Sequence, residues 1–304
     1  MSQTVPPPTT RPPGSTPGSA LPAEERAAAL AFLQKLAAEV SDGSIDLPCF
    51  PNVVVRISAA LADANTTVDQ VAAIVGTEPR LAARILQVAN SAAFNTSGKP
   101  LADLKSAITR LGHRMVHGTA VSYAMVQMKN ESVLRSIAQP LNELWSKSIS
   151  VATICRIVAR RTKLSPDEAF LTGLLHGIGH LYIMARAAIH GSSLADQRSW
   201  MDLLLGWQAP IGKAVLESWG FAEEMFDAVG EQNDRERRWK HEAGLSDVLV
   251  ASLMLNEALN LPEPRRLATD GIGVYATCGV TAPLVPAILG EAEQQIGLVR
   301  QAFV

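Results

Sequence analysis

The stretch from Ser165 to Arg186, SPDEAFLTGLLHGIGHLYIMAR, constrains this chain more than any other. Ser165 suits a helix N-cap, Pro166 fits the first helical position, and Glu168 stands where its carboxylate can return to the Ser165 amide. Leu171, Leu174, Leu175 and Ile178 follow at the i, i+3, i+4, i+7 spacing of one buried helical face. Gly177 and Gly179 loosen that helix just where two histidines, His176 and His180, arrive. A chain built around such a run folds by packing helices.

The same period recurs on both sides. It predicts helices over about 22–40, 52–64, 68–76, 79–92, 103–111 and 113–129, the last two separated by Gly112. Further helices are predicted over about 140–161, 193–206, 210–219, 222–229, 245–260 and 286–302. Thr67 with Gln70 makes a second capping box. β-branched residues fall in helical spacing and no Asn-Gly or Asp-Gly turn separates alternating segments, so the fold class is all-α. Residues 1–20 hold six of the 18 prolines and little apolar surface, which predicts a disordered tail. Leu47-Pro48-Cys49-Phe50-Pro51 reads as extended, and Glu231 to Glu242 as a solvated loop anchored by Trp239.

Composition removes several function classes. The 27 Lys and Arg nearly balance the 29 Asp and Glu, so no strong field draws nucleic acid or anionic lipid. Three scattered cysteines, Cys49, Cys155 and Cys278, give neither a disulfide framework nor zinc spacing. With no export signal, the expected location is cytoplasmic. The uncharged run Gly271 to Gly290 is interrupted by four glycines and two prolines, which argues for a soluble connection and against a membrane span.

The chemistry-bearing motifs are sparse. His113 and His117, like His176 and His180, are four apart, but Arg114 and Gly177 stand where a zinc hydrolase places its glutamate. No nucleophile elbow, phosphate-binding Gly-Lys-Ser/Thr loop or dinucleotide fingerprint is present, so no cofactor is expected. Residues 68–92 could pass for a helix-turn-helix, but Arg80 and Arg84 are a thin electrostatic footprint, and nucleic acid is not an expected partner.

Four segments together carry a likeness: Leu47-Pro48, DQVAAIVGTEPRLAARILQVANSAAF (Asp69 to Phe94), SAITRLG (Ser106 to Gly112) and FLTGLLHGIGHL (Phe170 to Leu181). The chain resembles the HDOD domain, a bacterial signalling output domain related to the HD and HD-GYP phosphohydrolases. The resemblance implies a two-lobed helical bundle with an HD-domain-like second lobe. It divides the chain into a tail (1–20), an HDOD-like domain (21–262, lobes about 21–130 and 131–262) and a Gly/Pro-rich connection with a C-terminal helix (263–304).

In the related enzymes a His-Asp pair and further histidines hold metal ions that generate a hydroxide. Here His176 matches the histidine, Gly177 replaces the aspartate, and Lys147 stands near an earlier expected histidine. Gln208-Ala209 and Gly230-Glu231 lie where later histidines are expected. The expectation is therefore a non-catalytic regulatory protein without a metal, which binds signalling proteins and has a cyclic dinucleotide as a candidate ligand. The alternative is a metal-dependent phosphohydrolase acting on a nucleotide or cyclic dinucleotide, rebuilt from His176, His180 and Asp167 or Glu168. Candidate interaction residues are Asn90, Ser91, Phe94, Asn95, Arg110 and His113, although Asn90 and Ser91 also suit helix capping. Lys147, Arg156 and Arg160 are candidate anion ligands.

Overall fold

The computed structural model describes residues 23–42, 51–61, 63, 65–95, 97–129, 131–189, 206–235, 242–261 and 273–303. The tail (1–20), Leu47 to Phe50, nearly all of the expected 193–206 helix, and Trp239 lie outside these residues.

Local capping starts the helices as the residues require. Gln70 N–H donates to Thr67 Oγ1 (3.3 Å) and Thr67 N–H donates to Gln70 Oε1 (2.8 Å), which closes the box at one helix start. Ser165 Oγ likewise accepts from Glu168 N–H at 3.3 Å. The Glu168 carboxylate does not complete that second box; it pairs with Arg114 at 2.6 Å.

The elements are α1 (Ala23–Ser41), α2 (Asn52–Leu61), α3 (Val68–Gly76), α4 (Pro79–Asn90), α5 (Leu104–Lys129), a 3₁₀ turn (Ser132–Ile137), α6 (Ala138–Ala159), α7 (Pro166–Leu175) and α8 (Ile178–Ile189). They continue as α9 (Gln208–Ser218), α10 (Glu223–Gly230), α11 (Leu245–Leu259), α12 (Gly273–Thr277), a short 3₁₀ turn and α13 (Val285–Phe303). No strand occurs among the described residues. Inside α5, Gly112 takes φ 73° and ψ 161°, a conformation that L side chains rarely adopt, and it separates two helical segments as expected. The Gly271–Gly290 run is more than a connection. It includes α12 and the start of α13, with Val274, Tyr275, Cys278 and Val280 buried.

Helix α6 is the centre of the second lobe. From Ser148 to Ala159 every residue except Arg156 is buried, the signature of a helix covered on all sides. α7, α11 and α13 pack on it, while α2 to α5 pack among themselves as the first lobe. α13 also touches α4 and so spans both lobes. α1 packs against α9, and its Glu39 accepts hydrogen bonds from Tyr182 and Arg186 of α8, so its partners lie in the second lobe.

Two glycines set helix distances. A Cβ on Gly173 would lie 2.7 Å from Ala152 Cα and 2.8 Å from Cys155 Sγ, so α6 and α7 meet backbone to backbone. A Cβ on Gly179 would lie 1.9 Å from Gln208 O and 2.6 Å from Gly212 N. Gly179 is thus a contact surface for α9 within α8, and the helix break expected near it falls at His176 and Gly177.

Gly179→Ala is expected to lower the urea unfolding free energy by about 3 kcal/mol, since the obstructing atoms are backbone. Gly290→Ala, with open space around its Cβ position in α13, is expected to raise it by about 0.5 kcal/mol. Equal effects from the two variants would refute this account of α8–α9 packing.

Candidate functional site

The first place where polar side chains gather is the α7–α8 junction. His176 is the C-cap of α7 and is 4% exposed. Its Nδ1–H donates to Gly173 O at 2.7 Å, so Nε2 holds the ring's lone pair. Burial first, then the nearby Lys147 ammonium, push its pKa down to about 4; the Gly173 carbonyl opposes the shift. His180, on the first turn of α8, is also held at about 4, by burial and by Lys147. Both imidazoles are neutral near pH 7.

Lys147 on α6 is the cation facing these rings. Its side chain stays exposed, yet the protein mass around the ammonium lowers its pKa, with Glu257 opposing the shift and Arg235 adding to it. Arg235 donates through both guanidinium nitrogens to the two Glu257 oxygens. On the inner side, Gln232 Nε2 donates to His176 O (3.1 Å) and Val229 O (2.8 Å), fixing the junction backbone.

The resemblance places an aspartate at position 177, where any side chain would press on the tip of Leu144. A Cβ on Gly177 would lie 2.7 Å from Leu144 Cδ1 and 3.4 Å from Ser148 Oγ. The Ser148 hydroxyl, fully buried, has no hydrogen-bond partner. It is a single neutral oxygen, where a hard divalent ion requires several anionic or imidazole ligands. Asp167 and Glu168 do not help, because they sit at the opposite end of α7 and pair with Arg156 (3.5 Å) and Arg114 (2.6 Å). Among the described residues no group of three His, Cys, Asp or Glu could hold a metal ion. The ligand set of His176, His180 and Asp167 or Glu168 is therefore not brought together.

His113 and His117 do not form a ligand pair either. His117 is buried between lobes, its ring stacked on Phe221 at 4.0 Å and 7°. Its Nε2 meets Ser58 Oγ at 2.6 Å, and Ser58 Oγ lies 3.0 Å from Val54 O. Ser58 satisfies both contacts by donating to Val54 O and accepting from His117 Nε2–H. Burial holds the His117 pKa at about 3.

The second place is the loop after α4. Asn90 clamps it by donating to Leu101 O (2.8 Å) and accepting from Leu101 N–H (2.7 Å). Ser91 Oγ donates to Val88 O (2.7 Å), and Asn95 Oδ1 accepts from Ser97 Oγ (3.0 Å). Arg110 donates to Ala89 O, Ser97 Oγ and Lys99 O at 3.0–3.3 Å. Asn90, Ser91, Asn95 and Arg110 are thereby committed to holding the loop. His113 is half-buried just after the Gly112 break. Phe94 differs: it meets Phe170 edge-on at 5.9 Å and lies 4.8 Å beneath the Arg156 guanidinium.

The expected anion triad does not assemble. Lys147 and Arg156 are nine residues apart on α6, which at about 100° per residue puts them on opposite faces. Arg156 and Arg160 line a cleft between the lobes, while Lys147 belongs to the histidine junction. Arg160 pairs with Glu291 of α13 at 2.9 Å.

A model of the HDOD domain matches residues 47–235. The chain belongs to the HDOD domain family. Among solved structures it is similar to a protein of Shewanella amazonensis SB2B, provisionally named a metal-dependent phosphohydrolase. Identity is 26% and the TM-score 0.71, over 91% of this chain and 100% of the other. An HDOD domain protein of unknown function from Geobacter sulfurreducens shares the fold at 20% identity and TM-score 0.61, over 92% and 99% of the two chains. A protein from Marinobacter aquaeolei VT8, provisionally named a signal transduction protein, does so at 20% and 0.56, over 92% and 66%. An uncharacterized protein of Treponema pallidum is 22% identical over 206 residues, 64% of this chain and 39% of its own length.

Within this HDOD frame, sequence reasoning missed Arg235, Glu257 and Gln232. Arg235 is the last matched residue, and Glu257 lies beyond the match. The mixed charge of residues 231–242 carried no signal that Arg235 pairs with a helix 22 residues on. No helix of the described residues is long and apolar enough to cross a membrane.

The histidines give a pH dependence whose sign follows from their direction. Folded-state pKa values near 3 for His117 and 4 for His176 lie below the ordinary 6.5. Between those values and 6.5 the unfolded chain binds more protons, so stability falls as pH drops, by up to about 1.4 kcal/mol per pH unit per histidine. Urea midpoints are expected to fall from about pH 7 to 5, and His117→Gln to flatten the profile by one histidine's share.

Proposed function

We propose that this HDOD protein is a non-catalytic regulator, whose HD-like lobe binds signalling partners where its enzymatic relatives hydrolyse phosphoesters. The observation that carries this reading is the Gly177 position, which offers no carboxylate and where even a Cβ would come within 2.7 Å of Leu144 Cδ1. The remaining ring supports it. His176 spends Nδ1–H on Gly173 O and lies in the field of Lys147, which repels a divalent cation. A hydroxide cannot be generated at neutral pH without a metal or a comparably strong charge to lower the pKa of water.

A regulatory role fits the remaining features. α13 packs on α6 of the second lobe and on α4 of the first, so it offers one element that contacts on either lobe would share. Partner binding through protein surfaces is the primary mode. The family likeness also keeps a cyclic dinucleotide as a ligand to be tested by calorimetry.

Metal analysis decides between this reading and the hydrolase. Protein purified without chelators is expected to hold well under one equivalent of Mn, Fe or Zn and to show no turnover of cyclic dinucleotides. His176→Ala is expected to cost about 2 kcal/mol of stability through the lost cap and cavity, with metal content unchanged. A stoichiometric ion that disappears in His176→Ala would establish the hydrolase instead.

A further inference from the structure

Arg156 is the only exposed-side break in an otherwise fully buried stretch of α6, and its guanidinium is poorly satisfied. It reaches Asp167 Oδ1 and Ala93 O only at 3.5 Å each, the outer limit of a hydrogen bond. Its Cζ lies 4.8 Å from the centroid of the Phe94 ring, a cation–π contact that leaves the N–H groups without a closer acceptor than these two. One turn on, Arg160 adds a second guanidinium, its side chain 44% exposed and its Nη1 paired with Glu291 of α13 at 2.9 Å, which leaves its remaining N–H groups for a ligand. Both line a cleft of about 420 Å³ formed by the loop after α4, α6, the start of α7 and α13.

The rest of the cleft is of a different character. Leu298 and Val299 of α13 form its apolar side, with Leu298 44% exposed. Asp167, in the first turn of α7, is the carboxylate already beside Arg156, held loosely and half-exposed. That volume lies within the roughly 300–1,000 Å³ of small-molecule sites, where a few polar groups orient a largely apolar ligand.

We propose that this inter-lobe cleft binds a small organic anion, its phosphate or carboxylate head on Arg156 and Arg160 and its apolar body on Leu298. The head displaces the Asp167 carboxylate from its 3.5 Å contact and accepts charge-assisted hydrogen bonds at normal length. Because the lining comes from α4's loop, α6, α7 and α13, an occupied cleft fastens the two lobes together. The site is separate from the His176 junction, and its test is independent of metal content.

Isothermal titration with phenyl phosphate, hexanoate and inorganic phosphate tests it on the full chain. At least one organic anion is expected to bind about ten-fold more tightly than inorganic phosphate, and the stronger of the two names the head group. Arg160→Gln is expected to weaken that binding about ten-fold, and Leu298→Glu to abolish it, with unchanged far-ultraviolet circular dichroism. Arg156→Lys, which keeps the charge but loses the fork, is expected to weaken it as well. No binding of either organic anion at millimolar concentration, or binding unaltered in both Arg160→Gln and Leu298→Glu, would overturn the proposal.

Discussion

The backbone contact between α6 and α7 is the constraint on which the second lobe depends. Gly173 removes the one carbon that would hold the helices apart, and Ala152 and Cys155 present the small surface that receives it. With the axes that close, α6 is sealed from solvent along Ser148 to Ala159. The end of α7 is then brought down beside Leu144, Lys147 and Ser148. The chemistry available at His176 is set by this approach, because whatever α6 presents there becomes the environment of the imidazole. It presents a leucine, an ammonium and an unpaired hydroxyl.

The lobes are joined by contacts of several kinds. His117 stacks on Phe221, Phe94 meets Phe170 and Arg156, and Arg114 pairs with Glu168. The exposed ion pair contributes little by itself, on the order of 0–1 kcal/mol. The buried aromatic contacts carry more, because they remove apolar area as well as fixing ring geometry. After α4, Asn90 and Arg110 together satisfy the carbonyls of Ala89, Lys99 and Leu101. At the seam, Arg156 keeps polar contacts only at the outer limit of a hydrogen bond, 3.5 Å to Asp167 Oδ1 and to Ala93 O.

Much of this was legible in the residues. The Thr67–Gln70 box, the Ser165 cap and the Gly112 break follow from local rules, and each appears where those rules put it. The separation of Lys147 from Arg156 was also within reach, since nine residues make two and a half helical turns. Gly179 was not, because an isolated glycine in a helical run signals weakness as readily as close approach, and only the position of Gln208 distinguishes them. The Arg235–Glu257 fork was hidden for a similar reason. It joins a turn to a separate helix, and no periodicity connects the two.

The sequence by itself determined the helices, their caps and the all-α class, because these depend on neighbours within a turn or two and on residue identity. Tertiary structure alone decided that Leu144 fills the space beside Gly177, that Asp167 and Glu168 are spent on arginines, and that two arginines share a cleft with α13. Those outcomes depend on the distance and rotation between helices far apart in the chain. Side-chain volumes at the packed faces set both quantities, and no single helix encodes them.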